Sequence, residues 1–178
     1  QGVGRIYAVA PALSAEEEPL AAHLADRLCE RVRNRNASAQ TFTRTVRFRG
    51  GNPAEAVADV QLAAACLPDS ASEQLVQFAC RMRRIPLVLA GVEESRAQAT
   101  TIFPGDPGVA LVYKPNHPHL SSDRTQTRPE PRTALAAGAW IAEQVVAVIL
   151  DAAGILRNTL LYADLNTAEM AEYSLTGS

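Results

Sequence analysis

The chain has 178 residues, 47% of them apolar, and a formal net charge of −2. That fits one domain with a full core and argues against a nucleic-acid surface. Seventeen residues are basic, all of them Arg except Lys114, and alanine is abundant, which reads as a high-GC genome more than as a binding device.

Ile6 to Ala10 reads as a strand ended by Pro11. The Gly2-Val3-Gly4 pair precedes it, whereas a nucleotide-binding glycine loop follows a strand and opens a helix. Ser14 is placed to cap a helix, with Glu16, Glu17 and Glu18 in its first turn, where negative charge is favoured. The helix runs to about Val32, with Leu20, Leu24, Ala25, Leu28 and Val32 on one face, expected to be the buried one. His23 lies beside that face and reads as structural or solvated. Gln40 to Arg49 alternates and predicts a strand near a sheet edge. Phe42, Val46 and Phe48 are expected on its buried side, against Thr41, Thr43, Thr45 and Arg47. Gly50 to Asn52 turns the chain into a short helix over Pro53 to Ala58.

The centre of the chain is Asp59 to Phe103. Asp59 to Cys66 is an apolar run suited to a buried strand. Pro68 breaks it, and Asp69 or Ser70 can cap a helix over Ala71 to Arg84. Leu75, Phe78, Ala79 and Met82 fall at helical spacing, and Arg81, Arg83 and Arg84 suit its C-terminus. Leu87 to Gly91 is a second buried strand and Ala97 to Phe103 a third. Strand, helix, strand of this length predicts a parallel crossover. The loop after the first of these strands, which holds Asp69, is where such folds face ligand.

Beyond Phe103 the texture is rich in turns. Val109 to Tyr113 reads as a short strand and Lys114 to Pro131 as a long loop. His117 and His119 with Asp123 lie in that loop and could form a metal site, but one His-x-His in a Pro-rich loop lacks the third ligand at a recognised spacing, so no metal site is expected. Thr133 to Ala153 is the longest helix, apolar nearly all round apart from Glu143 and Gln144. It is expected to be buried, in the core or in an oligomer interface. Gly154 ends it. Asn158 to Asp164 and Met170 to Leu175 form a C-terminal hairpin about Asn166.

Cys29, Cys66 and Cys80 make no C-x-x-C pair and read as reduced structural thiols, hence a cytoplasmic protein. No stretch reads as a membrane span or signal peptide, so no membrane partner is expected. Gln1 in place of Met reads as a cut chain or fragment.

The order of these pieces resembles the ThiF/MoeB/HesA family, the adenylating enzymes that activate ubiquitin-like proteins and sulfur carriers. Gly2-Val3-Gly4-Arg5-Ile6 with Val9-Ala10-Pro11-Ala12 looks like the family's G-V-G-x-I/L…V-D-x-D. Asp59 to Asp69 resembles its D-V-V-x-D-x-x-D strand, with Asp69 at the last Asp. Phe78-Ala79-Cys80…Ile85-Pro86-Leu87-Val88…Ala90-Gly91 is similar to N-x-x-C…I-P-x-V-x-A-G. Thr100, Ile102, Phe103, Pro104 and Gly105 look like the strand that follows. Gly138 to Leu150 and Leu160-Leu161-Tyr162-Ala163-Asp164 are similar to later family segments.

This resemblance implies an α/β fold: a Rossmann-like, mostly parallel sheet with helices on both faces and a C-terminal antiparallel hairpin. It implies a single domain over 1–178, without the N-terminal nucleotide-loop unit, with 104–132 as a crossover loop. It assigns Asp69 as the catalytic and cofactor-binding position, holding Mg²⁺ and a triphosphate. The departures weigh against activity. Ala10 and Ala12 stand at the family's acidic ribose positions. The Asn, Arg and Lys expected over Ser14 to Leu24 are missing, and no C-x-x-C falls near Val109 to Tyr113, so no zinc is expected. Each lost stabilising contact removes about 2.7–4 kcal/mol from such chemistry.

The expectation is therefore a degenerate member, a non-catalytic half of a homo- or hetero-dimer or a docking module for a ubiquitin-like or sulfur-carrier protein. The alternative is an ATP- and Mg²⁺-dependent adenylyltransferase completed by a missing segment or a partner subunit. A dinucleotide-binding oxidoreductase would need a glycine-rich strand-to-helix turn, which the chain lacks.

Overall fold

The computed structural model describes residues 4–12, 16–47, 52–67, 69–108 and 129–176. The chain divides into two compact units, Gln1–Val60 and Gln61–Ser178.

In the first unit, strand β1 (Arg5–Ala12) is followed by helix α1 (Glu18–Arg35) and strand β2 (Gln40–Arg47). The strands pair in parallel, Ala8 opposite Thr43 and Ala10 opposite Thr45. Parallel neighbours need a crossover of this length, and α1 supplies it. Helix α1 turns a different face inward than its leucines suggest. Ala21, Ala25 and Cys29 are buried, and Ala25 and Cys29 pack with Ala8 and Ala10 of β1. Leu20, Leu24 and Leu28 are 61%, 57% and 52% exposed. Both stripes repeat every four residues, and they are offset by one position. Small side chains on helix and strand let the backbones approach closely, which leaves no room between them for leucine. Phe42, expected to be buried, is exposed and stacks on Tyr7 with ring centroids 5.0 Å apart. Arg44 lies over the same Tyr7 ring and donates to the carbonyls of Glu55 and Ala58. It thereby ties β2 to the 3₁₀ turn Pro53–Glu55, all that forms of the expected short helix.

The second unit is a five-stranded sheet in the order β3-β4-β5-β6-β7. Strand β3 is Ala63–Cys66, α2 Ser70–Arg83, β4 Leu87–Glu93 and β5 Arg96–Ile102. Helix α3 (Pro131–Leu150) and the hairpin β6 (Thr159–Asp164) and β7 (Glu169–Ser174) complete it. Strands β3 and β4 are parallel across α2, as expected. From β4 onward every pair is antiparallel, so the antiparallel part begins two strands before the C-terminal hairpin. The reason is local: only Glu94 and Ser95 separate β4 from β5, Glu94 adopts φ +48°, and a link this short joins antiparallel strands. Leu87 to Gly91 are buried on both sides of β4. Helix α3 packs on the face of Ala90, Ala97 and Ala99 through Ala137, Trp140 and Ile141, and α2 packs against β3 and β4.

Strand β3 is shorter and less buried than the run Asp59–Cys66 suggested. It lies at the sheet edge, and Asp59 has φ +62°. Helix α2 buries Ser72, Glu73, Val76, Gln77, Ala79 and Cys80, whereas Phe78 and Met82 are exposed. Helix α3, expected to be buried all round, buries Thr133, Ala137, Gln144 and Ala147 and exposes Leu135, Val146, Ile149 and Leu150. The expectation that no stretch reaches the length of a membrane span also needs correction. By length and composition alone α3 qualifies, with 20 residues and a mean hydropathy of 1.7. Val109–Tyr113, Lys114, His117, His119 and Asp123 lie outside the described residues.

Candidate functional site

The residue that sequence singles out, Asp69, sits where β3 gives way to α2, in extended conformation (φ −143°, ψ 153°). One carboxylate oxygen, Oδ1, accepts the Ser72 backbone N–H at 2.9 Å. The other, Oδ2, accepts the Ser72 hydroxyl at 2.7 Å. The Asp69 carbonyl accepts the N–H of Glu73 at 3.2 Å. This is an N-cap: the carboxylate satisfies one helix N–H that would otherwise lack a partner and sits at the positive end of the helix dipole. Ser72 and Glu73 are buried beneath it, Glu73 fully.

The electrostatics of this corner oppose direct phosphate binding. A bare helix N-terminus attracts anions, but here the cap and the first turn contribute the carboxylates of Asp69 and Glu73. A triphosphate would need a divalent cation between itself and Asp69. Among the described residues no group of three His, Cys, Asp or Glu could hold a metal, and Asp69 makes no ion pair. Ala12, which the family resemblance sets at a ribose position together with Ala10, is fully buried, and Ala10 packs against the α1 cluster. Among the described residues the corner at Asp69 thus supplies a helix cap and carboxylates, with no cation set beside it.

The cysteines divide. Cys29 and Cys80 are buried, Cys29 Sγ donating to the Phe42 carbonyl at 3.4 Å. Burial pushes the Cys80 thiol up to about 12, so it stays protonated and inert. Cys66, expected at the end of a buried strand, is exposed.

Two polar clusters escape a reading of the sequence. Asp106, in the turn after β5, accepts the Phe103 N–H at 3.0 Å and pairs with Arg157. Arg81 of α2 donates to the Asp106 carbonyl. Gln144, in mid-α3, accepts from the Thr101 hydroxyl at 3.0 Å and the Leu156 N–H at 2.7 Å, and donates to the Gly154 carbonyl at 3.1 Å. The only signal was a glutamine inside an apolar helix, where a buried amide must find partners.

A family model described as "ThiF family" matches residues 21–177. No curated protein matches the chain. Among solved structures, that of the microcin C7 biosynthetic enzyme MccB in complex with N-formylated MccA is similar with a TM-score of 0.71 at 14% identity, covering 99% of this chain and 59% of that one. A structure of E. coli MccB with ATP has a TM-score of 0.67 at 12% identity, covering 99% and 57%. PaaA has a TM-score of 0.66 at 13% identity, covering 87% and 55%. The chain thus spans somewhat more than half the length of these structures.

Proposed function

The chain belongs to the ThiF family and has its adenylyltransferase-type fold; from that premise we propose that it is a non-catalytic member, serving as a dimer half or docking module for a ubiquitin-like or sulfur-carrier protein. The observation that carries this reading is the state of Asp69. Both oxygens of its carboxylate hold Ser72 donors, no cation pairs with it among the described residues, and alanines occupy the two ribose positions. Adenylation depends on cations that neutralise the phosphates, and one capping carboxylate supplies none. A docking role finds support in the outward faces of all three helices. Leu20, Leu24 and Leu28 on α1, Phe78 and Met82 on α2, and Leu135, Val146, Ile149 and Leu150 on α3 offer apolar area that a partner could cover. MccB, which is similar in fold, is found in complex with N-formylated MccA, which supports a bound partner at this fold.

The second reading is an ATP-dependent adenylyltransferase, completed by a further segment or a partner subunit; the MccB structure with ATP favours it. Calorimetric titration with ATP and Mg²⁺ separates the two. The non-catalytic reading expects no heat from the wild type. Micromolar binding that Asp69→Ala and Asp69→Asn both abolish would overturn it and establish the enzyme. Asp69→Asn is the sharper variant, because asparagine caps a helix as well as aspartate while losing the charge.

A further inference from the structure

A cleft lies along the sheet from Asp69, between α3 and the hairpin β6–β7. Helix α3 packs on β4 and β5 and stops short of the hairpin. The strand register shows what this uncovers. Leu161 stands opposite Ala99, Ala163 opposite Ala97, Glu172 opposite Leu161 and Met170 opposite Ala163, so these side chains share the face on which α3 sits. The small Ala97 and Ala99 lie beneath the helix. The larger Leu161, Met170 and Glu172 continue past its edge and form one wall and the floor of a cleft of about 530 Å³. Trp140, Glu143 and Leu156 form the opposite side. Gln144 fixes that side, since it holds Leu156 and Gly154 in place from the helix.

Two features give the cleft a ligand chemistry. Its body is apolar and aromatic, and its volume falls in the range of small-molecule sites. Its charged groups are Glu143 on one wall and Glu172 on the other. Among the described residues neither makes an ion pair and no Arg or Lys lines the cleft. Two unneutralised carboxylates beside an indole ring suit a cation on an apolar body: the carboxylates supply charge, and the aromatic face adds a cation–π attraction. We propose that this cleft binds a small organic cation, a quaternary or protonated amine carried on an apolar group, seated against Trp140 between Glu143 and Glu172. The inference rests on the cleft alone and does not depend on the role of Asp69.

Trp140 is the chain's sole tryptophan, so its fluorescence reports directly on the cleft. The test titrates the protein with benzyltrimethylammonium chloride, and with benzyl alcohol as the same ring without the charge. The expected result is a saturable change in Trp140 emission with the cation, at concentrations where benzyl alcohol gives none. The double variant Glu143→Gln with Glu172→Gln should raise the dissociation constant about tenfold. Both carboxylates are exposed and unpaired, and a thermal melt matching the wild type would confirm that the variant folds. No saturable change in the wild type, an equal response to benzyl alcohol, or an unchanged affinity in the folded double variant would each overturn the proposal.

Discussion

Arg157 lays its guanidinium along both carboxylate oxygens of Asp106, Nη2 2.8 Å from Oδ1 and Nε 3.0 Å from Oδ2, while its plane lies over the Phe103 ring at 4.8 Å. The pair joins the turn after β5 to the segment that leads into β6. Thr101, near the end of β5, forms an isolated parallel bridge with Arg157 at the same place. Planar bidentate pairing with a stacked ring is geometry that lysine cannot reproduce.

This pair gives the fold an acid-side dependence. Burial by itself would raise the Asp106 carboxyl, but the hydrogen bonds from Arg157 and the Phe103 N–H, with the Arg157 and Arg81 charges, outweigh it and hold the group below its ordinary value. Asp164 is lowered as well, by the Asn166 N–H first and then the Ser95 hydroxyl. A folded pKa below the unfolded one, about 3.9, gives stability that is full above pH 4 and is lost as pH falls through the folded value. Urea melts from pH 7 down to pH 2.5 should show this fall. Asp106→Asn should be less stable than wild type at pH 7, and the gap should narrow as pH drops below 4. A constant gap across the range would sink the assignment.

Gln144 serves three groups at once. Gln144→Leu should cost about 2 kcal/mol or more, because the Leu156 N–H and the Gly154 carbonyl would lose their partner beneath the helix. Chemical denaturation reads the loss directly. Hydrogen exchange at Leu156 should accelerate with it, whereas a core substitution that left this amide bonded would not single it out.

The inverted face of α1 can be tested by a pair of substitutions. Leu24→Gln should change stability by less than about 0.5 kcal/mol, as at other exposed positions. Ala25→Leu should cost about 1–3 kcal/mol, because added methylenes have no space against Ala8. If leucine lined the core, Leu24→Gln would be the damaging change and the order would reverse.

Asp69 predicts a stability signature distinct from any nucleotide effect. Asp69→Ala should destabilise by about 0.5–2 kcal/mol through loss of the N-cap, and Asp69→Asn by only a few tenths. Urea midpoints for the three proteins decide it. Equal losses in both variants would mean that the charge, not the cap, matters at this position.

Much of the fold was legible along the chain. The position of the crossover within Asp59 to Phe103, the break at Ile85-Pro86, and the hairpin about Asn166 follow from turn chemistry and from apolar runs of fixed length, which depend on neighbours in sequence. The family likeness was legible too, because its motifs recur in order even where the chemical residues have changed. Which face each helix turns inward was not legible. On α1 two stripes of period four compete, and the bulkier one, Leu20-Leu24-Leu28, carries the stronger hydrophobic signal. The sheet decides for the smaller, since Ala25 and Cys29 are the residues that pack against Ala8 and Ala10 at close approach. The cleft beside Trp140 was equally hidden. Its carboxylates are 29 positions apart and line one cleft only because α3 ends its packing at β5 while the sheet continues to β7. Local sequence determines which segments become helix or strand through interactions between near neighbours. Burial, pairing partner and the meeting of distant charges depend on how much space one element leaves for another, and only the tertiary structure sets that.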